Sequence, residues 1–249
     1  MNKKYTLFVL FLLCTLISKA QLKKSMIYGF EYGKNNPTLE NNYFFLDKEL
    51  NSSQLKLNIG LQLETKNEFV YSLEYGLIYR FFSTIGLKYN LLNDVLVNVS
   101  QEDLNLIGRV GFGKNIYFSK KLDRFSLFLG VGLQAELNGM QIQRKPTGYE
   151  NDYVLLTSNF KNKVSWFIQP EIAIRIRSKS RKSAWKLGAR YNVSFAKNIM
   201  EGNFSHYNNQ KLAGKVNFEV DGKMLALFFQ LEFQMKNKKN KKTMLQLKK

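Results

Sequence analysis

From Phe125 to Leu137 the chain places Phe125, Leu127, Leu129, Val131, Leu133, Ala135 and Leu137 at every second position. Ser126, Phe128, Gly130, Gly132, Gln134 and Glu136 fill the positions between them. Period two is the repeat of a β-strand, whose successive side chains point to opposite faces. One face is almost wholly apolar, and the other is small or polar and carries a charge. A single strand of this kind suits the surface of a soluble sandwich. Repeated along a chain, it predicts a barrel with lipid outside and a polar interior.

The pattern does repeat. Residues 25–32 carry Met26, Tyr28, Phe30 and Tyr32 against Ile27, Gly29 and Glu31, and residues 54–64 carry Leu55, Leu57, Ile59, Leu61 and Leu63 against Lys56, Asn58, Gly60, Gln62 and Glu64. After the tight turn Thr65-Lys66-Asn67, a strand leaves at once with Phe69, Tyr71, Leu73, Tyr75, Leu77, Tyr79 and Phe81 on one face. So short a link makes the two a hairpin. Residues 104–118, 164–176, 185–195 and 225–235 alternate in the same way. Pro170 falls in mid-strand, where it removes a ladder donor, and a bulge is expected there.

Together these segments make eight strands. Their connections run long, short, long, short, long, short, long, which sorts the long ones to one rim. An up-and-down membrane barrel sorts its turns like this, with external loops on one rim and periplasmic turns on the other. The expected fold class is therefore all-β, an eight-stranded antiparallel up-and-down transmembrane β-barrel. Closure is obligatory, because an open edge in lipid strands backbone donors at several kcal/mol each. Even parity puts both termini on the periplasmic side of an outer membrane. Tyr79, Trp166, Trp185 and Tyr191, near strand ends, suit interfacial girdles.

The long connections are read as loops 33–52, 83–103, 138–163 and 196–222. The first contains the run Tyr43-Phe44-Phe45-Leu46, a candidate strand extension. In the second, Ile85, Leu87 and Tyr89 alternate before Leu91-Leu92 and Val95-Leu96-Val97 break the register, so a full ninth strand there would upset the parity. The third is a polar excursion with Pro146, and the fourth extends as a ribbon through Phe204 to Val220.

Both ends read as segments outside the barrel. Met1-Asn2-Lys3-Lys4, an apolar run from Tyr5 to Ile17 and Ser18-Lys19-Ala20 make a secretory signal peptide over residues 1–20. The barrel domain is then 21–235, and 236–249 is a basic disordered tail with seven lysines. Cys14 lies in the leader, so the mature chain has no cysteine chemistry. The net charge of +19 suits anionic head groups. Nucleic acid is not an expected partner for an exported chain. No later segment approaches eighteen consecutive apolar residues, so no helical span is expected.

With its leader, its alternating strands and the pairs Gly111-x-Gly113 and Gly130-x-Gly132, the chain resembles the small outer-membrane β-barrel proteins of the Bacteroidota. That group is similar to PorT-like and OmpA/OmpX-like barrels. The resemblance covers Gln21 to Met235 and implies no catalytic residue. Such barrels end on an aromatic residue of the last strand. Here that residue is Phe233, followed by Met235 and the tail.

On the polar faces lie Glu31, Glu74, Glu136, Glu171 and Glu232 with Lys56, Arg80, Arg109, Arg175, Lys186 and Arg190. An eight-stranded lumen is just wide enough for side chains to fill. A salt-bridged polar core is expected, with a narrow ion path as the alternative. Glycines 60, 76, 111, 113, 130, 132 and 188 are expected to make room for long charged side chains. No catalytic, cofactor-binding or metal residue is assigned. His206, the one histidine, adjoins Ser205 on the opposite side of a strand and cannot form a dyad with it, and Glu201 lies nearby. It is read as a lone loop histidine. Asp94 and Glu102-Asp103 have no recognisable calcium spacing. The expected function is a structural or surface-interaction barrel, monomeric, in contact with outer-membrane lipids and with an unidentified partner through its long loops. The alternatives are a soluble lipocalin-like carrier with its greasy face inward, or a lipid A-modifying enzyme.

Overall fold

The computed structural model describes residues 22–35, 38–39, 50–89, 95–119, 124–138, 147–149 and 152–235. Residues 1–20, expected to be a signal peptide, the run Tyr43–Leu46, Asp94, Pro146 and residues 236–249, expected to be a tail, lie outside the described residues. In chain order the strands are β1 (Lys23–Asn35), β2 (Thr38–Leu39), β3 (Leu50–Glu64), β4 (Phe69–Tyr89), β5 (Val95–Tyr117), β6 (Phe125–Leu137) and β7 (Thr147–Tyr149). They continue with β8 (Asp152–Phe160), β9 (Val164–Arg177), β10 (Ser183–Ser194), β11 (Met200–Asn208), β12 (Lys211–Val220) and β13 (Met224–Gln234).

Eight of these, β1, β3, β4, β5, β6, β9, β10 and β13, form a closed antiparallel barrel. Each pairs with its neighbour in the chain order of the barrel, and β13 closes on β1 from Ser25 opposite Gln234 to Lys34 opposite Leu225. Period two decides which side chains enter. Lumen-facing Ile27, Lys56, Glu74, Arg109 and Gln134 are buried, while Leu57, Tyr75, Val110, Ile174 and Leu227 on the other face are each more than half exposed. A ring of apolar side chains this continuous far exceeds the patches a soluble monomer tolerates, and it requires an apolar medium. The greasy face therefore points outward, which overturns the carrier arrangement with its apolar face inward.

Aromatic residues gather toward both rims of that ring. Phe69, Tyr71 and Phe112 pack together near the short turns. Trp185 meets Phe229 on the same half. Toward the long connections, Tyr32, Tyr79, Trp166 and Tyr191 face outward.

Several segments differ from the sequence reading. Residues 83–89 and 95–103 are strand and not loop. β4 and β5 stay paired as far as Tyr89 opposite Val95, with a register shift between Thr84 and Leu87. No ninth barrel strand arises, so parity holds. Residues 138–163 are not merely an excursion, since they contain β7 and β8. Residues 196–222 form the hairpin β11–β12, as the ribbon reading expected.

The three connections between β1 and β3, β6 and β9, and β10 and β13 together build a second five-stranded sheet, ordered β2-β12-β11-β8-β7. Its edge strands, of two and three residues, are short, which limits unwanted edge pairing. At Pro170 there is no bulge: β9 keeps one register against β6, with Val131 opposite Pro170. Against β10 the ladder has a gap from Arg190–Glu171 to Val193–Ile168. The missing proline donor is thus accommodated by two lost pairs.

The glycines serve two different needs. A Cβ at Gly111 or Gly132 would meet the Arg109 guanidinium within 3.0 Å, as the sequence suggested. At Gly60, Gly76 and Gly188 it would instead meet the neighbouring strand's backbone at 2.0–2.2 Å. Those three allow strands to approach closely and make no room for charges. Gly113 makes room for the Phe128 ring.

Candidate functional site

The lumen is built by pairs that the ladder places opposite each other. Glu74 faces Arg109 across β4 and β5. Glu171 faces Arg190 across β9 and β10, and Glu31 faces Lys56 across β1 and β3. Opposite charges directly across a ladder attract, and the curvature of so small a barrel then joins the pairs into a network. Arg109 bonds Glu74, donates from Nη2 to Glu171 at 2.8 Å and from Nε to Gln169 at 2.8 Å. Arg190 donates to Glu171 at 2.5 Å and to Glu31 at 2.9 Å. Lys56 donates to Glu31 at 3.1 Å and to Gln134 at 2.6 Å. Gln169 extends the web to Gln134 and Asn192.

A second cluster sits toward the short turns. Arg175 and Lys186 are opposite each other on the ladder, an unfavourable pair of like charges. Glu232 lies between them, 2.5 Å from Arg175 and 3.3 Å from Lys186. Glu64 takes Arg175 at 3.2 Å and also Arg177. Toward the long connections, Glu136 accepts from Arg80 at 2.6 Å and Asn105 at 2.8 Å. All eleven charged residues expected on the polar faces are buried.

An apolar slab separates the middle and lower clusters. Val70, Phe128, Ala173 and Phe228 pack together at the level of Gly188. Lys186 stands 4.0 Å from the Phe128 ring centroid, and Arg190 stands 4.1 Å from that of Phe228. At the opposite end, Phe167 of the lumen face joins Val154, Leu156, Ile199, Met200, Phe204, Phe218 and Val220 in an apolar core. Gly222, with φ of 73°, sits between Phe167 and Ile199, where a Cβ would be within 3.1 Å of each. The second sheet's inner face is therefore fastened over the long-connection mouth. Paired side chains and two apolar layers fill the barrel, an interior suited to neither an ion path nor a greasy ligand.

The second sheet's outer face is polar. Thr157, Asn203 and Asn217 form one row across β8, β11 and β12, with Asn159, Glu201 and Glu219 in the next. Glu201 and Glu219 stand opposite each other, and Lys161 bridges them at 2.9 and 3.6 Å. Its hydrogen bond to Glu201 raises the Lys161 pKa above its ordinary value. These side chains line a cavity of about 330 Å³ with Gly202 and Phe218. Farther along the same face, Tyr153 and Tyr207 stack at 5.0 Å.

His206 lies in β11 of this sheet and not in a loop. Ser205 beside it points to the other face and donates to Asn203 at 2.9 Å, so the two form no dyad. Asp103, read as a loop residue, lies in β5 with its side chain buried. Among the described residues no group of His, Cys, Asp and Glu is arranged to hold a metal. No described helix is long and apolar enough to cross a membrane.

No protein-family model matches the chain, and comparison with curated proteins gives no match. Among solved structures, the chain is similar to the outer membrane protein OprG from Pseudomonas aeruginosa, at 10% identity and a TM-score of 0.50, covering 86% of this chain and 97% of that one. Similarity to the transport unit of the autotransporter AIDA-I from Escherichia coli has 10% identity and a TM-score of 0.24, covering 89% and 92% of the two chains. OprG identifies the fold, an outer-membrane-type β-barrel.

Proposed function

We propose that the chain is an outer-membrane β-barrel with a structural or surface-interaction role, whose working part is the second sheet on the long-connection rim. One observation carries this reading. Three of the four long connections, otherwise free to vary separately, are knitted into one sheet with its own apolar core and a polar outer face. Binding surfaces commonly sit on segments held by a rigid scaffold, and the filled lumen leaves transport little room. In this reading residues 1–20 are removed on export, the termini are periplasmic, the barrel is a monomer in outer-membrane lipid, and the partner is met outside the cell. Kinship with the PorT-like barrels of the Bacteroidota, which its strand pattern resembles, is part of the same proposal. Nucleic acid has no part in it.

The test combines cell fractionation, gel mobility with and without boiling, and protease treatment of intact cells. A compact unboiled band in the outer-membrane fraction, with cleavage confined to 138–163 and 196–222, is the expected result. A water-soluble protein whose mobility ignores boiling would overturn the reading. So would cleavage only in the short turns 65–68 and 178–183.

A further inference from the structure

We infer that the outer face of the second sheet is a binding site for a neutral oligosaccharide. The inference rests on that sheet being the working part of the molecule, and it names the chemistry of the partner. Thr157, Asn159, Glu201, Asn203, Asn217 and Glu219 line a cavity of about 330 Å³ there. That volume lies at the lower end of the roughly 300–1,000 Å³ typical of small-ligand sites. The six side chains make two adjacent rows across β8, β11 and β12, so three strands aim them into one opening.

Much of the hydrogen-bonding capacity in this cavity is unspent. Thr157, Asn159 and Asn217 make no side-chain hydrogen bond or ion pair among the described residues. Asn203 accepts from Ser205 through its carbonyl oxygen, which leaves its amide donors. Lys161 bridges Glu201 and Glu219, Asn198 also donates to Glu219, and each carboxylate has acceptor sites to spare. Sugar hydroxyls both donate and accept, and neighbouring hydroxyls on a ring meet the two arms of a planar amide or carboxylate.

Charge narrows the class of ligand. The whole chain carries a net +19, yet this face sets Lys161 and Lys215 against Glu201 and Glu219. That balance favours neither an anion nor a cation. An extended peptide docks by adding a strand to an open sheet edge, whereas β11 is paired on both sides, with β8 and β12. Side chains must therefore make the contacts. Tyr153 and Tyr207 stack on the same face, about 13 Å from Asn203 at the rise of a strand. Aromatic surface packs against the C–H face of a sugar ring, and the separation calls for a chain of sugars. Phe204 and Phe218 pack beneath the sheet, and a Cβ at Gly202 would meet Thr157 O at 2.5 Å. Strands seated this tightly hold the polar groups before binding, which lowers the ordering cost.

The test applies the protein in mild detergent, with all its loops, to an array of neutral oligosaccharides, uronate-containing and sulfated oligosaccharides, and peptides. Binding to neutral members alone is the expected result. Asn159→Ala/Asn217→Ala, which breaks no contact among the described residues, should weaken it about tenfold. Tyr207→Ala should weaken long sugar chains more than disaccharides. Lys211→Gln, at the tip of the same sheet, should change nothing. No neutral sugar bound, preference for acidic sugars, equal weakening by Lys211→Gln, or a peptide displaced by the double variant would each overturn the site. If the double variant gives no compact band, Asn159→Ala alone, at an exposed position, carries the test. Cleavage of intact cells within 138–163 and 196–222 with no sugar bound overturns the sugar site alone. Cleavage only in the short turns overturns the outward placement of the sheet, whatever the array shows.

Discussion

The molecule has two interiors built on opposite rules. Inside the barrel, seven acidic and six basic side chains are buried in the company of amides and serines. Under the second sheet, the core is Val154, Leu156, Phe167, Ile199, Met200, Phe204, Phe218 and Val220. Both are made of strands with the same period of two. They differ in the medium outside. A barrel wall facing lipid must put its apolar residues outward, so the polar set is left to fill the inside and must satisfy itself there. A sheet in water does the reverse.

The two interiors also fail differently, and the largest effect is expected in the barrel. Arg109 holds Glu74, Glu171 and Gln169 together. Arg109→Met leaves two buried carboxylates short of a partner, an error that costs about 3–5 kcal/mol when a buried pair is broken. Arg190 still reaches both carboxylates, so the lower end of that range is expected. Urea unfolding in detergent should show the loss, and the compact gel band should disappear at a lower temperature. An unchanged midpoint would mean the charges are dispensable filling.

Phe204 is fully buried and touches Phe218, with ring centroids 5.3 Å apart. Phe204→Ala should cost about 3 kcal/mol, but locally. Limited proteolysis should cut within 196–222 faster while the compact band of the barrel persists. If the barrel weakened equally, the two interiors would be one cooperative unit. A third change tests the medium itself: Ile172 is half exposed on the outward face near the middle of β9. Ile172→Arg should lower folding yield into bilayers by an amount corresponding to about 2–3 kcal/mol, while the same change on a water-facing surface would be nearly neutral. Folding yields into lipid vesicles would read it.

This contrast also explains what could be read in advance. The eight barrel strands were legible where each keeps one phase, as in Phe125–Leu137, and the interior charges followed from that phase; the far ends of β4 and β5, where the register shifts between Thr84 and Leu87, were not. Their grouping was partly accessible. Once hairpins are paired in register, Glu74 falls opposite Arg109 and Glu171 opposite Arg190. The link from Arg190 to Glu31, 159 residues away, depends on closure and was not. β8 escaped because Tyr153, Val154, Leu155 and Leu156 are apolar on both faces, so no period stands out. β12 was easier, since Leu212, Val216, Phe218 and Val220 alternate with Ala213, Lys215, Asn217 and Glu219. What no local pattern announces is that distant connections share a sheet. That depends on three loops leaving the same rim.

The smallest expected effect lies where the polar interior meets water at the short turns. Glu68 sits in the turn after β3 at φ of 67°. Burial raises its pKa above the ordinary carboxylate value, and the neighbouring Glu64 raises it further, against the opposing charges of Arg177 and Lys23. The folded state therefore holds this proton more tightly than the unfolded chain does. Linkage then makes the contribution favourable on the acid side and progressively lost as pH rises through the raised value. Glu68→Gln should remove that part of the pH dependence and leave the variant slightly more stable than the parent at neutral pH. Unfolding midpoints of the two proteins, measured across the carboxylate range, should converge at the acid end and separate toward neutrality. Parallel curves would mean that Arg177, 3.4 Å from the Glu68 carboxylate, already cancels the penalty, and the charged network would then extend past the barrel mouth into the water.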